Sequence, residues 1–179
     1  MADKAQEFQP AKRILILPRR VFYSFDYEMD AARVQLVKNM GKIESQPLLS
    51  GNRWEEVRKG GDRAIKKWID DQMYGKTCLI VLVGARTASR PWVQYEIERA
   101  WDEGLGVVGI RIHGLKNLQG ETSARGKNPF ANFSIADQTL SSIVTLHDPW
   151  GWDSKAVYAD ISKNLEQLVE DAVAIRADF

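Results

Sequence analysis

The stretch TCLIVLV, Thr77–Val83, is an unbroken apolar run bounded by Gly75 and Gly84. So short a run, rich in aliphatic residues and punctuated by glycine at both ends, has the composition of a strand buried on both faces in the middle of a parallel sheet. A polar loop, GARTASR, follows, and then PWVQYEIERAW from Pro91 to Trp101, in which apolar residues recur at helical spacing. Ser89 is placed to cap that helix, Pro91 suits its first turn, and Gly104 stops it after Glu103.

Upstream, VFYSF at Val21–Phe25 reads as another buried strand, ending at the turn-like Asp26. Asp30 can cap a helix carrying Ala31, Val34, Val37 and Met40 on one stripe, with Gly41 just beyond it. Residues 43–53 contain Pro47, Ser50, Gly51 and Asn52 and read as a loop that could hide a short strand, and residues 54–73 as an amphipathic helix interrupted at Gly60 and Gly61. Downstream come a strand over residues 107–112, a long insertion over 114–134 that by length should be functional or mobile, a last strand over 143–146 and a final helix over 158–176. Strands alternating with helices predict an α/β protein with a mostly parallel sheet covered on both faces. Residues 1–19 read as a tail or lead-in strand, with the run Ile14–Leu17 stopped by Pro18, and residues 20–179 as a single domain.

Composition narrows the function. Twenty-five Lys and Arg against 24 Asp and Glu leave a charge of +1, so there is no broad basic field for nucleic acid or an anionic membrane, and neither is expected as a partner. A single cysteine, Cys78, makes no internal disulfide, and two histidines leave too few ligands for a Cys/His zinc site, so no metal is expected and a cytoplasmic setting is. No stretch reaches the ~20 apolar residues of a membrane span. The GxSxG, GxxxxGK[ST] and HExxH patterns are missing, and so is the acidic cluster with strand-end lysine of a phosphate receiver.

In an open α/β sheet, ligands sit at the carboxyl ends of strands where the strand order reverses. Candidate substrate-binding residues are therefore Phe25, Asp26 and Tyr27 after one strand, and Arg86, Thr87, Arg90 and Trp92 after the other. On the helix from Trp92, the ~100° step per residue gathers Val93, Ile97, Ala100 and Trp101 into the buried stripe and puts Glu96 at its edge. From position alone, Glu96 is first an ordinary boundary carboxylate paired with Arg99 or Arg90, and second a partly desolvated group facing a cleft. Asp26 reads equally as a ligand for ribose or a cation and as a turn or cap residue. Trp54, Trp68 and Trp101 read as core, Phe25 and Trp92 as stacking surfaces, Cys78 as packing, and Asp148–Trp152 (DPWGW) as a structural corner.

The motifs VFYSFDYEMD (Val21–Asp30), TCLIVLVGARTASRPWVQYEIERAW (Thr77–Trp101), GVVGIRIHGLK (Gly106–Lys116) and GKNPF (Gly126–Phe130) resemble the TIR-like family, and within it the branch that includes the TIR-like subunit of Thoeris antiphage defence. The resemblance implies a flavodoxin-like three-layer sandwich around a five-stranded sheet. It also implies cleavage of the nicotinamide–ribose bond of NAD, with some members cyclising the ADP-ribose into a signal for a partner effector. NAD would be substrate rather than cofactor, Glu96 would match the family's catalytic carboxylate, and self-association would be expected. Asp26 stands where that branch commonly has histidine. The contrasting expectation is a non-catalytic TIR-like module for protein interaction or nucleotide sensing.

Overall fold

The six residues of strand β3, Cys78–Val83, are all buried, and alternation sends their side chains to two separate cores. Cys78, Ile80 and Leu82 join one apolar cluster, Leu79, Val81 and Val83 the other. This two-sided burial defines the layers of the computed structural model, which describes residues 19–47 and 51–179. The candidate strand Ile14–Leu17 and most of the N-terminal tail lie outside the described residues, as does the core reading of Trp54.

Along the chain the elements are β1 (Arg20–Ser24), α1 (Tyr27–Lys38), β2 (Glu44–Ser45), α2 (Gly51–Lys59), α3 (Gly61–Met73), β3, α4 (Pro91–Asp102), β4 (Gly106–Arg111), β5 (Ser134–Ile135), β6 (Gln138–Thr139), α5 (Leu140–Ile143), β7 (Leu146–His147) and α6 (Ser154–Ala177). Five strands form one sheet in the order β2-β1-β3-β4-β7, with every neighbouring pair parallel. The flavodoxin-like α/β expectation holds. Helices α1 and α6 cover one face through Val34, Val37, Ile161, Leu165 and Val169. The other face is covered by α3 and α4 through Ile65, Ile69, Val93 and Ile97. β5 and β6 form a small antiparallel hairpin apart from this sheet.

The hidden strand in the 43–53 segment is β2, and the interruption at Gly60 and Gly61 separates α2 from α3, with Gly61 at a φ of +73° that favours glycine. Several boundaries differ from the sequence reading. Asp26, not Asp30, caps α1, because β1 ends at Ser24 and the chain turns at once; Asp26 Oδ1 accepts from the Glu28 N–H at 3.2 Å. Asp30 is instead buried in the first helical turn, 3.0 Å from Arg33. Ser89 belongs to a 3-10 turn, donating to the Arg86 carbonyl at 2.8 Å, and Arg90 occupies the cap position of α4 without a side-chain cap. Ile143 closes α5, so the last strand begins at Leu146. α6 starts four residues before Tyr158, where Asp153 Oδ1 accepts from the Ala156 N–H at 2.8 Å.

The long segment after β4 is tied down rather than hanging free. Arg33 donates to the carbonyls of Leu115 and Glu121 at 2.8 and 2.9 Å, Arg111 donates to that of Gly126 at 2.6 Å, and Phe130 is fully buried. Arg33 also fixes Asp30, and this rigidity constrains the loop after β3. A Cβ on Gly84 would stand 2.0 Å from Asp30 Oδ2, a carboxylate that its arginine holds in place. Gly84→Ala is therefore expected to cost about 1–3 kcal/mol, seen as a lower urea midpoint at unchanged slope.

Candidate active site

The chain leaves β1 towards β2 on one side, while β3 lies on the other, so the strand order reverses between β1 and β3. All five strands being parallel, both carboxyl ends open at the same edge, the usual place for a ligand in this architecture. A cavity of about 300 Å3 lies there. One wall comes from the segment after β1, with Phe25, Asp26, Tyr27 and Glu28; the facing wall comes from Arg90, Trp92 and Glu96 at the start of α4.

Six of the eight candidate residues thus meet in one cavity. Arg86 and Thr87 are not among its lining residues. Thr87 is fully buried, and its hydroxyl accepts from the Gly84 N–H at 2.9 Å and reaches the Leu82 carbonyl at 3.4 Å, which makes it a strut for the loop. Arg86 lies outside, 3.2 Å from Asp26 Oδ2 and 3.3 Å from Glu28 Oε2. Arg90 contacts the same two carboxylates at 2.9 and 2.8 Å. Two guanidinium groups and two carboxylates therefore close a lattice at the mouth, in which the buried Asp26 is the central anion and also the cap of α1. The exposed Glu28 contacts contribute little on their own; those of the buried Asp26 are harder to replace with water.

Glu96 stands outside this lattice. Neither expected partner is its own: Arg99 pairs with Asp70 at 2.9 Å and Glu103 at 2.8 Å, and Arg90 is taken by Asp26 and Glu28. The reading of Glu96 as a surface-paired boundary carboxylate is thereby corrected. It is 8% exposed, and among the described residues its side-chain hydrogen bond is the one donated by Ser24 Oγ to Oε2. Burial pushes its carboxyl up to about 8, and the Ser24 hydrogen bond pulls the other way. A carboxyl poised near neutrality in a cavity is the usual mark of acid–base or charge-stabilising chemistry.

Sequence reasoning missed three contributors. Ser24 is the lone serine in an aromatic strand, and a buried aliphatic hydroxyl needs a partner; that was the available signal. Trp68, assigned to the core, sits at the edge of the α3 stripe, where its ring lies 6.4 Å from that of Phe22 and also lines the cavity. Gln46 accepts from the Tyr23 N–H at 3.1 Å and donates to the Tyr23 carbonyl at 3.0 Å, extending the β1–β2 pairing with a side chain; nothing in a loop-like sequence announces that.

A family model described as Thoeris protein ThsB, TIR-like domain, matches residues 22–117, a stretch that contains every residue lining the cavity. The chain belongs to the Thoeris ThsB TIR-like family. It is also 32% identical over 119 residues to a protein of Bacillus cereus (strain MSX-D12) whose name reads "Putative cyclic ADP-D-ribose synthase ThsB1". The alignment covers 64% of this chain and 62% of that relative, so the chain spans less than two thirds of the relative's length.

A carboxyl raised by burial favours the native state only while protonated. Its stabilising effect is full below the ordinary glutamate range and is lost as pH rises towards about 8. Glu96→Gln, which keeps the shape and never ionises, should therefore gain stability relative to the unsubstituted protein as pH rises from 5 to 9. Denaturant unfolding at both pH values measures the gap; an equal gap at both would show that Glu96 does not titrate in this range.

Proposed function

We propose that this protein cleaves NAD at the nicotinamide–ribose bond and converts the remainder into an ADP-ribose-derived signalling nucleotide, a cyclic one, within a Thoeris-type antiphage response. The observation that carries the reading is the carboxyl of Glu96 in the cavity between β1 and α4, without a paired cation among the described residues. Membership of the family and the relative's name support the substrate class.

The chemistry asks for one group that stabilises developing positive charge. As the C1′–N bond breaks, its electron pair passes to the ring nitrogen and nicotinamide leaves neutral, while the ribose acquires oxocarbenium character. A carboxylate beside the ribose stabilises that charge and accepts hydrogen bonds from its hydroxyls, as in glycoside hydrolysis. The pyridinium ring of NAD brings a positive charge close to Glu96, which favours the ionised form of a carboxyl otherwise held up by burial. Capture of C1′ by water gives ADP-ribose and a proton; capture by a nucleophile within the ADP-ribose gives a cyclic product and a proton. The aromatic walls, Phe25, Trp68 and Trp92, exclude water and favour the second route. A cavity of about 300 Å3 is at the small end for ligand sites, so it encloses the reacting half of the dinucleotide and leaves the rest at the mouth. The nucleotide produced would act on a separate effector protein.

Incubation with NAD should release nicotinamide, followed by chromatography with mass detection of the nucleotide product. Glu96→Gln should lower the rate about 100-fold or more while keeping its circular dichroism. Undiminished release by that variant would remove Glu96 from the mechanism. Because the active form is the carboxylate, kcat/KM should rise with pH and level off near 8, falling about tenfold per unit below it.

A further inference from the structure

Glu96 has two oxygens, and the structure treats them differently. Oε2 receives the hydroxyl of Ser24, a residue 72 positions away in sequence and 1% exposed. Oε1 has no hydrogen-bond partner among the described residues, yet it is not among the polar atoms sealed from solvent, and Glu96 lines the cavity. Ser24 does not line it. The hydroxyl thus stands behind the carboxyl, on the side away from the space a substrate would fill.

Local structure explains why. Ser24 is the last residue of β1, and alternation along that strand sends Val21 and Tyr23 to the α1/α6 face and Phe22 to the α3/α4 face. Ser24 shares the side of Phe22, where α4 presents Val93, Glu96, Ile97 and Ala100 as its buried stripe. Parallel pairing of Ser24 with Val81 fixes its height at the strand end, where Glu96 comes down from the second turn of the helix. The hydroxyl and the carboxyl each supply the partner that burial demands of the other.

We propose that Ser24 is a positioning residue, whose hydroxyl ties down Glu96 Oε2 so that Oε1 is the oxygen presented to substrate. The proposal rests on the reading of Glu96 as the working carboxylate. A hydrogen bond donated to a carboxylate also favours its ionised form, so Ser24 opposes the desolvation that suppresses it. Among the described residues, the other ionisable groups facing the cavity are Tyr23 from β1, Asp26, Tyr27 and Glu28 from the entry to α1, Arg58 from α2 and Arg90 before α4. None of them hydrogen-bonds Glu96, and Asp26 and Glu28 are both paired with arginines.

The test is Ser24→Ala, with Ser24→Cys, a close match in size and a weak donor, as the second variant. Protein labelled with 13C at the glutamate carboxyl carbon is titrated by NMR, the Glu96 signal being identified by its loss in Glu96→Gln. The Glu96 midpoint should move up by about one pH unit in Ser24→Ala, the value of one hydrogen bond to a charged group, and by less in Ser24→Cys. In nicotinamide release from NAD at pH 7, kcat should fall about tenfold with KM within about twofold, and the acid limb of the pH profile should shift upward with the NMR midpoint. A merely structural serine would lower the unfolding midpoint and leave the Glu96 titration where it was; that result, or a KM effect with unchanged kcat, overturns the proposal. Should Ser24→Ala fail to fold, the Ser24→Cys titration decides alone, an unmoved midpoint again overturning it. Should the unsubstituted protein release no nicotinamide, the NAD-cleaving function fails, while the titration still decides whether Ser24 holds the carboxyl.

Discussion

A strand with no exposed residue sets the rest of this structure in order. β3 needs apolar cover on both faces and backbone partners on both edges, and it gets them from two helix layers and from β1 and β4. Covering both faces of a parallel sheet requires crossover helices, and these bring every strand's carboxyl end to the same edge. With β1 and β3 as neighbours whose connections diverge, a crevice opens between them. The site follows from how the core is covered.

The cavity is lined by two kinds of carboxyl. Asp26 and Glu28 are clasped by Arg86 and Arg90, whose guanidinium groups bridge the segment after β1 to the turn before α4. Among the described residues Glu96 touches no cation and relies on a hydroxyl. The lattice joins the two walls of the crevice, and the carboxyl of Glu96 lines the space beside it. One fold thus sets the same side-chain chemistry in two states, clasped by guanidinium groups at Asp26 and Glu28 and held by a hydroxyl at Glu96.

Much of this was legible in the sequence because the signals are local. The apolar run of β3, the aromatic run of β1 and the stripe on α4 each announce their elements, and the strand-end rule sent Phe25, Asp26, Tyr27, Arg90 and Trp92 to a single place, together with Arg86 and Thr87, which do not line the cavity. What escaped depends on partners distant in sequence. The shift of the α1 cap from Asp30 to Asp26 depends on where β1 stops, which parallel pairing with β3 decides. The strut role of Thr87 depends on the path of the loop over Gly84, and that of Gln46 on the neighbouring strand's backbone. Spacing on the helix placed Glu96 at an edge; only the tertiary structure shows that both nearby arginines are already committed elsewhere.

The span between Ser24 and Glu96 has a consequence for the chain as it is made. Proteins emerge from the ribosome N-terminus first, and β1 is complete some 72 residues before the carboxyl that its last hydroxyl must hold. Until α4 docks, the nascent chain has one wall of a cavity and neither the arginine bridge nor the glutamate. The same holds in reverse for a mature molecule in which α4 transiently lifts away: the crevice loses its shape and its chemistry in one step. The geometry of the site is therefore a record of completed folding, and a half-made copy lacks the site by construction.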